Sequence, residues 1–279
     1  MTEAPLSLGR VLVLAGSDSG GGAGIQADIK TITALGGYAA TAITAVTVQN
    51  TLGVTGVHPI PLDIVDAQAR AVLDDIGADA FKTGMLGDAA TVEVVARVLD
   101  SAPGAGLGAI PAVIDPVMVA KGGASLLAQA AIGALKSLLV PRAALLTPNA
   151  PEAAALTGLV VETTDDLRRA GEALLELGAH AVLMKGGHID GERVVDLLIT
   201  RHGETAFEGE RILTRHTHGT GCTLASACAV GLAQGLSLTE SVARAWNYVH
   251  EAMLRAPGFG AGHGPLDHGW PLRREGASK

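Results

Sequence analysis

The apolar positions of the chain fall in short blocks separated by glycine-rich turns. "RVLVLAG" at 10–16 is apolar throughout and stops at a glycine, the pattern of a strand buried on both faces. After the loop "SDSGGGAG", the segment "IQADIKTITALGG" carries apolar residues at helical spacing. The alternation then repeats. "YAATAITAVTV", "AFKTGML", "AVIDPVM", "AALLTPN", "AVLMKGG" and "VVDLLIT" read as strands. Helical patterns cover about 62–75, 89–100, 125–139, 164–177, 221–234 and 238–255.

Strand followed by helix, over and over, predicts βαβ units: an α/β fold with a mostly parallel central sheet and helices on both faces. The chain shows no internal repeat and no low-complexity linker. The Gly/Pro-rich "SAPGAGLGAIP" at 101–111 reads as a connection inside one domain spanning 1–279, with 1–8 and 270–279 peripheral. In such a sheet, ligands gather beyond the carboxyl ends of the strands. That rule selects Gly16 to Gly24, Gln49-Asn50, Lys82 to Met85, Asp115-Pro116, Thr147-Pro148-Asn149, Lys185-Gly186-Gly187 and the glycine loop before Cys222.

Composition narrows the picture. Hydrophobic residues make up 48% of 279, aromatics only 3%, and there are 37 glycines, so the core must be Ala, Val, Leu and Ile in close contact. A formal net charge of −8 argues against nucleic acid or an anionic membrane as main partner. No apolar stretch approaches the ~18 residues of a membrane span, and the N-terminus lacks a basic-then-apolar leader. Cys222 and Cys228 share one helical pattern roughly 240° apart, so they cannot pair with each other. A soluble, reduced, cytoplasmic protein is expected.

Four features carry candidate chemistry. Asp28 falls inside the apolar stripe of Ile25, Ile29, Ile32 and Leu35, where a carboxylate needs a partner: either loop amides or a ligand at the sheet's mouth. Lys185 ends an apolar strand before two glycines, a place for a bound phosphate or a structural salt bridge. Asn149 and Glu152 bracket a helix start and suit either a cap or, with Asp115, a hydrated Mg²⁺.

"THGTGCTLAS" at 217–226 is the most specific of the four. Gly219 and Gly221 leave amides free at a helix N-terminus, where the dipole favours anions and lowers a thiol pKa, so Cys222 is a candidate base. Zinc held by His216, His218 and Cys222, or a merely buried thiol, are the alternatives. Gly22 to Ala27 fits a loose dinucleotide fingerprint, but the expected ribose-binding acid is missing, its place held by Thr47, Gln49 and Asn50.

Together "AGSDSGGGAGIQADIKT", "TAVTVQN", "KTGML", "DPVMVAKGG", "LLTPNAPEAAAL", "VLMKGGH", "THGTGCTLASA" and "GHGPLDH" resemble the hydroxymethylpyrimidine/phosphomethylpyrimidine kinases of thiamin biosynthesis, in order and over nearly the whole chain. The resemblance implies a ribokinase-like three-layer sandwich and a homodimer. It implies ATP- and Mg²⁺-dependent phosphorylation of 4-amino-5-hydroxymethyl-2-methylpyrimidine, then of its monophosphate. By position, Gly16, Asp28, Gln49 and Met85 match the pyrimidine pocket. Lys185, Gly186 and Thr220 match the ATP contacts, and Asp115, Asn149 and Glu152 the magnesium and water network. Gly219, Thr220 and Gly221 match the anion hole, and Cys222 the catalytic base. Arg215-His216 stands where Lys-Asn is more frequent, and Thr47 where Val is often found. A pyridoxal kinase is the nearest rival, ahead of an oxidoreductase or a metabolite sensor.

Overall fold

The computed structural model describes residues 7–102, 110–118, 126 and 129–273. Eight strands form one sheet: β1 (Arg10–Ala15), β2 (Tyr38–Ile43), β5 (Ala80–Thr83), β6 (Ala112–Ile114), β7 (Leu145–Leu146), β8 (Ala181–Met184), β9 (Arg193–Thr200) and β10 (Gly203–Glu210). Their order is β10-β9-β8-β7-β6-β5-β1-β2. The six strands from β2 to β8 in that order run parallel, while β9 is antiparallel to both of its neighbours. A separate antiparallel pair joins β3 (Ala45–Asn50) to β4 (Gly53–Pro59).

The period of two fixes the layers. On β1, Leu12 and Leu14 enter one core while Val11, Val13 and Ala15 enter the other. β8 divides alike, with Val182 and Met184 on one side, Ala181 and Leu183 on the other. The first core is closed by α2 (Leu62–Asp75), α3 (Ala89–Ser101), α4 (Gln129–Ala134), α5 (Ala150–Thr157) and α6 (Thr164–Glu176). The second is closed by α1 (Gly24–Ala34), α7 (Thr220–Ala233) and α8 (Leu238–Leu254). A sheet covered on both faces needs strands that are apolar on both faces, which β1, β6 and β8 are.

Three expectations change. "YAATAITAVTV" is two strands that break at Thr44, whose N–H still donates to Ala15 of β1 while its hydroxyl donates to the Met85 carbonyl. The helical pattern over 125–139 covers α4 and a wider turn at Leu135–Leu139; residues 127–128 lie outside the described part, as do 103–109 of the Gly/Pro-rich connection. In α1 the buried face is Ile25, Ala27, Asp28, Thr31, Ile32 and Ala34, and Ile29 is exposed, so the stripe is rotated from the one read in the sequence. Among the described residues no helix is long and apolar enough to cross a membrane.

Candidate active site

The parallel strands end along one edge, and the polar residues that follow them meet there. α7 starts at Gly219, whose φ of +86° suits glycine, and a methyl on it would lie 1.8 Å from the Gly22 carbonyl oxygen. The two glycine loops therefore touch. Gly219 offers no side-chain cap, and the first ladder bond is from Thr223 N–H to the Gly219 carbonyl. The ladder thus gives no partner to the N–H groups of Gly221 and Cys222, which is how a helix start receives an anion. Thr220 turns back on the loop, its N–H and hydroxyl both donating to the Thr217 carbonyl.

Below this turn lies a charged cluster. Lys185 Nζ is 3.0 Å from Asp115 Oδ1 and 3.8 Å from Glu152 Oε2, with Lys185 only 13% exposed at its side chain. Thr147 donates its hydroxyl proton to the same Asp115 oxygen at 3.1 Å. A methyl on Gly221 would stand 3.2 Å from Lys185 Nζ and 3.7 Å from Asp115 Oδ2, so the first turn of α7 looks straight onto both. Burial, then, against it, the Lys185 charge, and then repulsion from Asp115 leave the Glu152 carboxyl pushed up to about 7. Burial opposes the Lys185 charge, but Asp115 and Glu152 outweigh it and raise the ammonium above the ordinary lysine value.

Asn149 and Glu152 form a full capping box on α5: Glu152 N–H donates to Asn149 Oδ1 at 2.9 Å and Asn149 N–H to Glu152 Oε2 at 2.8 Å. Both side chains thus serve the cap, and Glu152 with Asp115 also meets Lys185. The Gly186 N–H donates to the buried Asp196 at 2.8 Å, and a methyl there would strike the Val195 carbonyl at 2.0 Å, so it packs on β9.

Cys222 keeps some exposure. Its thiol reverses the expectation drawn from the helix start: burial pushes it up to about 11, with the Lys82 charge pulling it down, Asp28 and Asp115 pushing it up, and the Gly24 N–H pulling it down. A bare helix N-terminus does not outweigh that desolvation.

On the other side of the site, Gly16 and Met85 meet, since a methyl on Gly16 would lie 2.3 Å from Met85 Cε. Gln49 sits on the β3 bulge between Val48 and Gln49 and reaches His218 at 3.3 Å. Asp28 is fully buried, where Lys82 Nζ at 2.8 Å and the Ser226 hydroxyl at 2.7 Å both donate to its Oδ1. Ser226 is one helical turn beyond Cys222, which places this pair under the thiol. Lys82, expected among the residues that follow a strand, lies inside β5 opposite Val13 and Val113 and is fully buried.

Among the described residues, no three His, Cys, Asp or Glu side chains gather as metal ligands. The donor set for a cation is the carboxylate pair Asp115 and Glu152, sharing one lysine. Two hard oxygen ligands that share a single lysine suit a divalent ion that keeps most of its water.

The model of the phosphomethylpyrimidine kinase family matches residues 18–267. The chain is 50% identical over 268 residues to a hydroxymethylpyrimidine/phosphomethylpyrimidine kinase of Streptomyces coelicolor, covering 96% of this chain and 97% of that one. It is 47% identical over 264 residues to the kinase of the same name from Bacillus subtilis, covering 94% and 96%. The solved phosphomethylpyrimidine kinase of Clostridium difficile superposes with a TM-score of 0.76 at 40% identity, over 87% of this chain and 98% of that one. A Staphylococcus aureus pyridoxal kinase in complex with AMP-PCP and pyridoxal gives 0.86 at 33% identity, over 94% of each. The mostly parallel sheet between two helical layers is the ribokinase-like fold. With the family model spanning nearly the whole length and the glycine turn, lysine and carboxylates in one cluster, the chain belongs to the phosphomethylpyrimidine kinase family.

Proposed function

We propose that this kinase transfers the γ-phosphoryl group of ATP to the hydroxymethyl oxygen of 4-amino-5-hydroxymethyl-2-methylpyrimidine, and then to the resulting monophosphate. The observation that carries the reading is the convergence of the α7 start, Lys185 and two buried carboxylates beside a partly exposed thiol. Phosphoryl transfer asks chiefly for positioning and charge stabilisation, and these groups supply both.

Each group has a role. The alcohol oxygen forms its bond to the γ-phosphorus as the bond to the β-phosphate oxygen breaks, and ADP leaves. Cys222 Sγ, in its thiolate form, takes the alcohol's proton. Lys185 and the N–H groups of Gly221 and Cys222 hold the charge on the moving phosphoryl oxygens, with Gly219 and Thr220 shaping the turn. Asp115 and Glu152 would hold Mg²⁺, which neutralises phosphate charge when bound. Gly16 and Met85 form one wall for the heterocycle, and the Gln49 amide, donor and acceptor side by side, reads the aminopyrimidine edge.

The test is product analysis by mass spectrometry with the pyrimidine alcohol, its monophosphate and pyridoxal in parallel. Mono- and diphosphate from the pyrimidine series, with a kcat/KM well above that for pyridoxal, is the expected result. An equal or higher value for pyridoxal overturns the assignment.

Replacing Lys185 by Ala is expected to raise KM for ATP and lower kcat together, because the ammonium holds phosphate in both ground and transition states. It also leaves Asp115 and Glu152 without their shared cation. Steady-state kinetics unchanged in a folded variant would reduce Lys185 to a structural ion pair.

A further inference from the structure

A hydrogen-bond network that phosphate handling does not use joins the 16–24 loop to the turn before α7. Asp18 is 1% exposed. Its carboxylate accepts from the N–H groups of Gly20 at 2.8 Å, Gly22 at 3.0 Å and Ala23 at 2.8 Å, and His218 Nε2 lies 2.8 Å from its Oδ2. The same His218 Nε2 is 3.3 Å from Gln49 Nε2. Gln49 Oε1 is 3.2 Å from Thr47 Oγ1, which is 2.8 Å from the Ser17 carbonyl oxygen.

Counting protons decides which way the Gln49 amide faces. A carbonyl only accepts, so the Ser17 oxygen takes the single Thr47 hydroxyl proton. Thr47 Oγ1 can then only accept, and it needs the amide nitrogen of Gln49 opposite it. Asp18, with three amide donors on it, is a carboxylate, so His218 Nε2 must carry a proton toward it. A protonated ring nitrogen cannot accept from an amide nitrogen; it needs the Gln49 oxygen. Both ends ask for the same half-turn of the amide, after which no two donors face each other, and the one Nε2 proton is shared between Asp18 Oδ2 at 2.8 Å and the Gln49 oxygen.

We infer that Asp18 and His218 are positioning residues that lock the Gln49 amide in one sense, oxygen toward His218 and nitrogen toward Thr47, and so set the preference for an aminopyrimidine over other hydroxymethyl heterocycles. An aminopyrimidine edge presents a ring-nitrogen acceptor beside an exocyclic amine donor. An amide of fixed sense meets that order and mispairs with others, and a mispaired buried polar group is what gives a site its selectivity. A freely turning amide would adapt to either order. The inference rests on the pyrimidine reading of Gln49 given above.

Two measurements test it. Long-range ¹H–¹⁵N correlation on the ¹⁵N-labelled full chain at neutral pH, assigned by the signal lost in His218→Gln, should show a proton on His218 Nε2. A bare Nε2 overturns the lock, and this reading needs no activity. In kinetics, His218→Leu should cut the ratio of kcat/KM for the pyrimidine alcohol over pyridoxal by about ten-fold, through the pyrimidine KM, with KM for ATP unchanged. His218→Gln, whose amide N–H stands in for Nε2–H, should restore most of the ratio. An unchanged ratio in folded His218→Leu overturns the inference, as does a parallel rise of both KM values, the mark of a merely displaced glycine turn. If the wild type phosphorylates no pyrimidine, the functional reading falls, while the Nε2 proton still tests the lock.

Discussion

Cys222→Ala is expected to fold, to bind ATP and pyrimidine, and to lose about 10²–10⁴ in kcat, the range for removing a positioned proton acceptor. The substitution removes one sulfur from a partly exposed site on the first turn of α7, so little packing goes with it. Cys222→Ser should be nearly as slow, since its hydroxyl stays protonated. Cys222→Asp should regain part of the rate, as the helix start favours a carboxylate. Near wild-type kcat in Cys222→Ala would make the thiol a wall of the pocket and nothing more.

The pH dependence of the same enzyme follows from the burial of that thiol. Burial disfavours the thiolate and pushes the group up to about 11, so at neutral pH it is almost wholly a neutral thiol. The thiolate fraction then grows about ten-fold per pH unit up to that value. Because kcat/KM reports the free enzyme, it should climb with unit slope between about pH 7.5 and 9.5 in the wild type and stay flat there in Cys222→Asp. A flat wild-type profile would show that the thiolate of the free enzyme is not the acceptor.

What the sequence disclosed depended on whether a residue's partner was local or distant. Strand β1 and its two-faced apolar pattern were legible, as were α2 and the α7 start, because their signals are periods and turns within a dozen residues. β10, "GETAFEGE", was not, since as an edge strand it is largely solvated and shows no apolar run. The hairpin of β3 and β4 was hidden for a related reason, Val46, Val48 and Val57 being exposed rather than part of a core. In the site, residues just past strand ends were found because a parallel sheet gathers them on one edge. The Asp18–His218 contact spans 200 positions, and no spacing rule connects a loop aspartate to a histidine so far away. Asp28 broke an apolar pattern and Lys82 stood out only as a strand-end residue, and their pairing across 54 positions needed the sheet to bring them together.

That pairing gives the largest expected loss of stability. Lys82→Met should destabilise the protein by about 3–5 kcal/mol, the usual cost of stranding one partner of a buried ion pair. Both side chains are 0% exposed, and Asp28 Oδ2 already has no partner, so no solvent or spare donor would compensate the remaining carboxylate. The double variant Lys82→Met/Asp28→Leu removes both charges and should recover most of the loss, less the cost of freeing the Ser226 hydroxyl. Denaturant midpoints for the two variants and the wild type would decide it, and a single variant within about 1 kcal/mol of wild type would contradict the buried pair. The double variant also separates the two roles considered for Asp28. Fully buried against Lys82 and Ser226, Asp28 should leave KM for the pyrimidine nearly unchanged when it is replaced together with its partner. The rate should still fall, because the Lys82 charge that draws the Cys222 thiol downward outweighs the Asp28 charge that is lost with it. A large rise in KM with kcat preserved would instead make Asp28 a direct contact of the heterocycle.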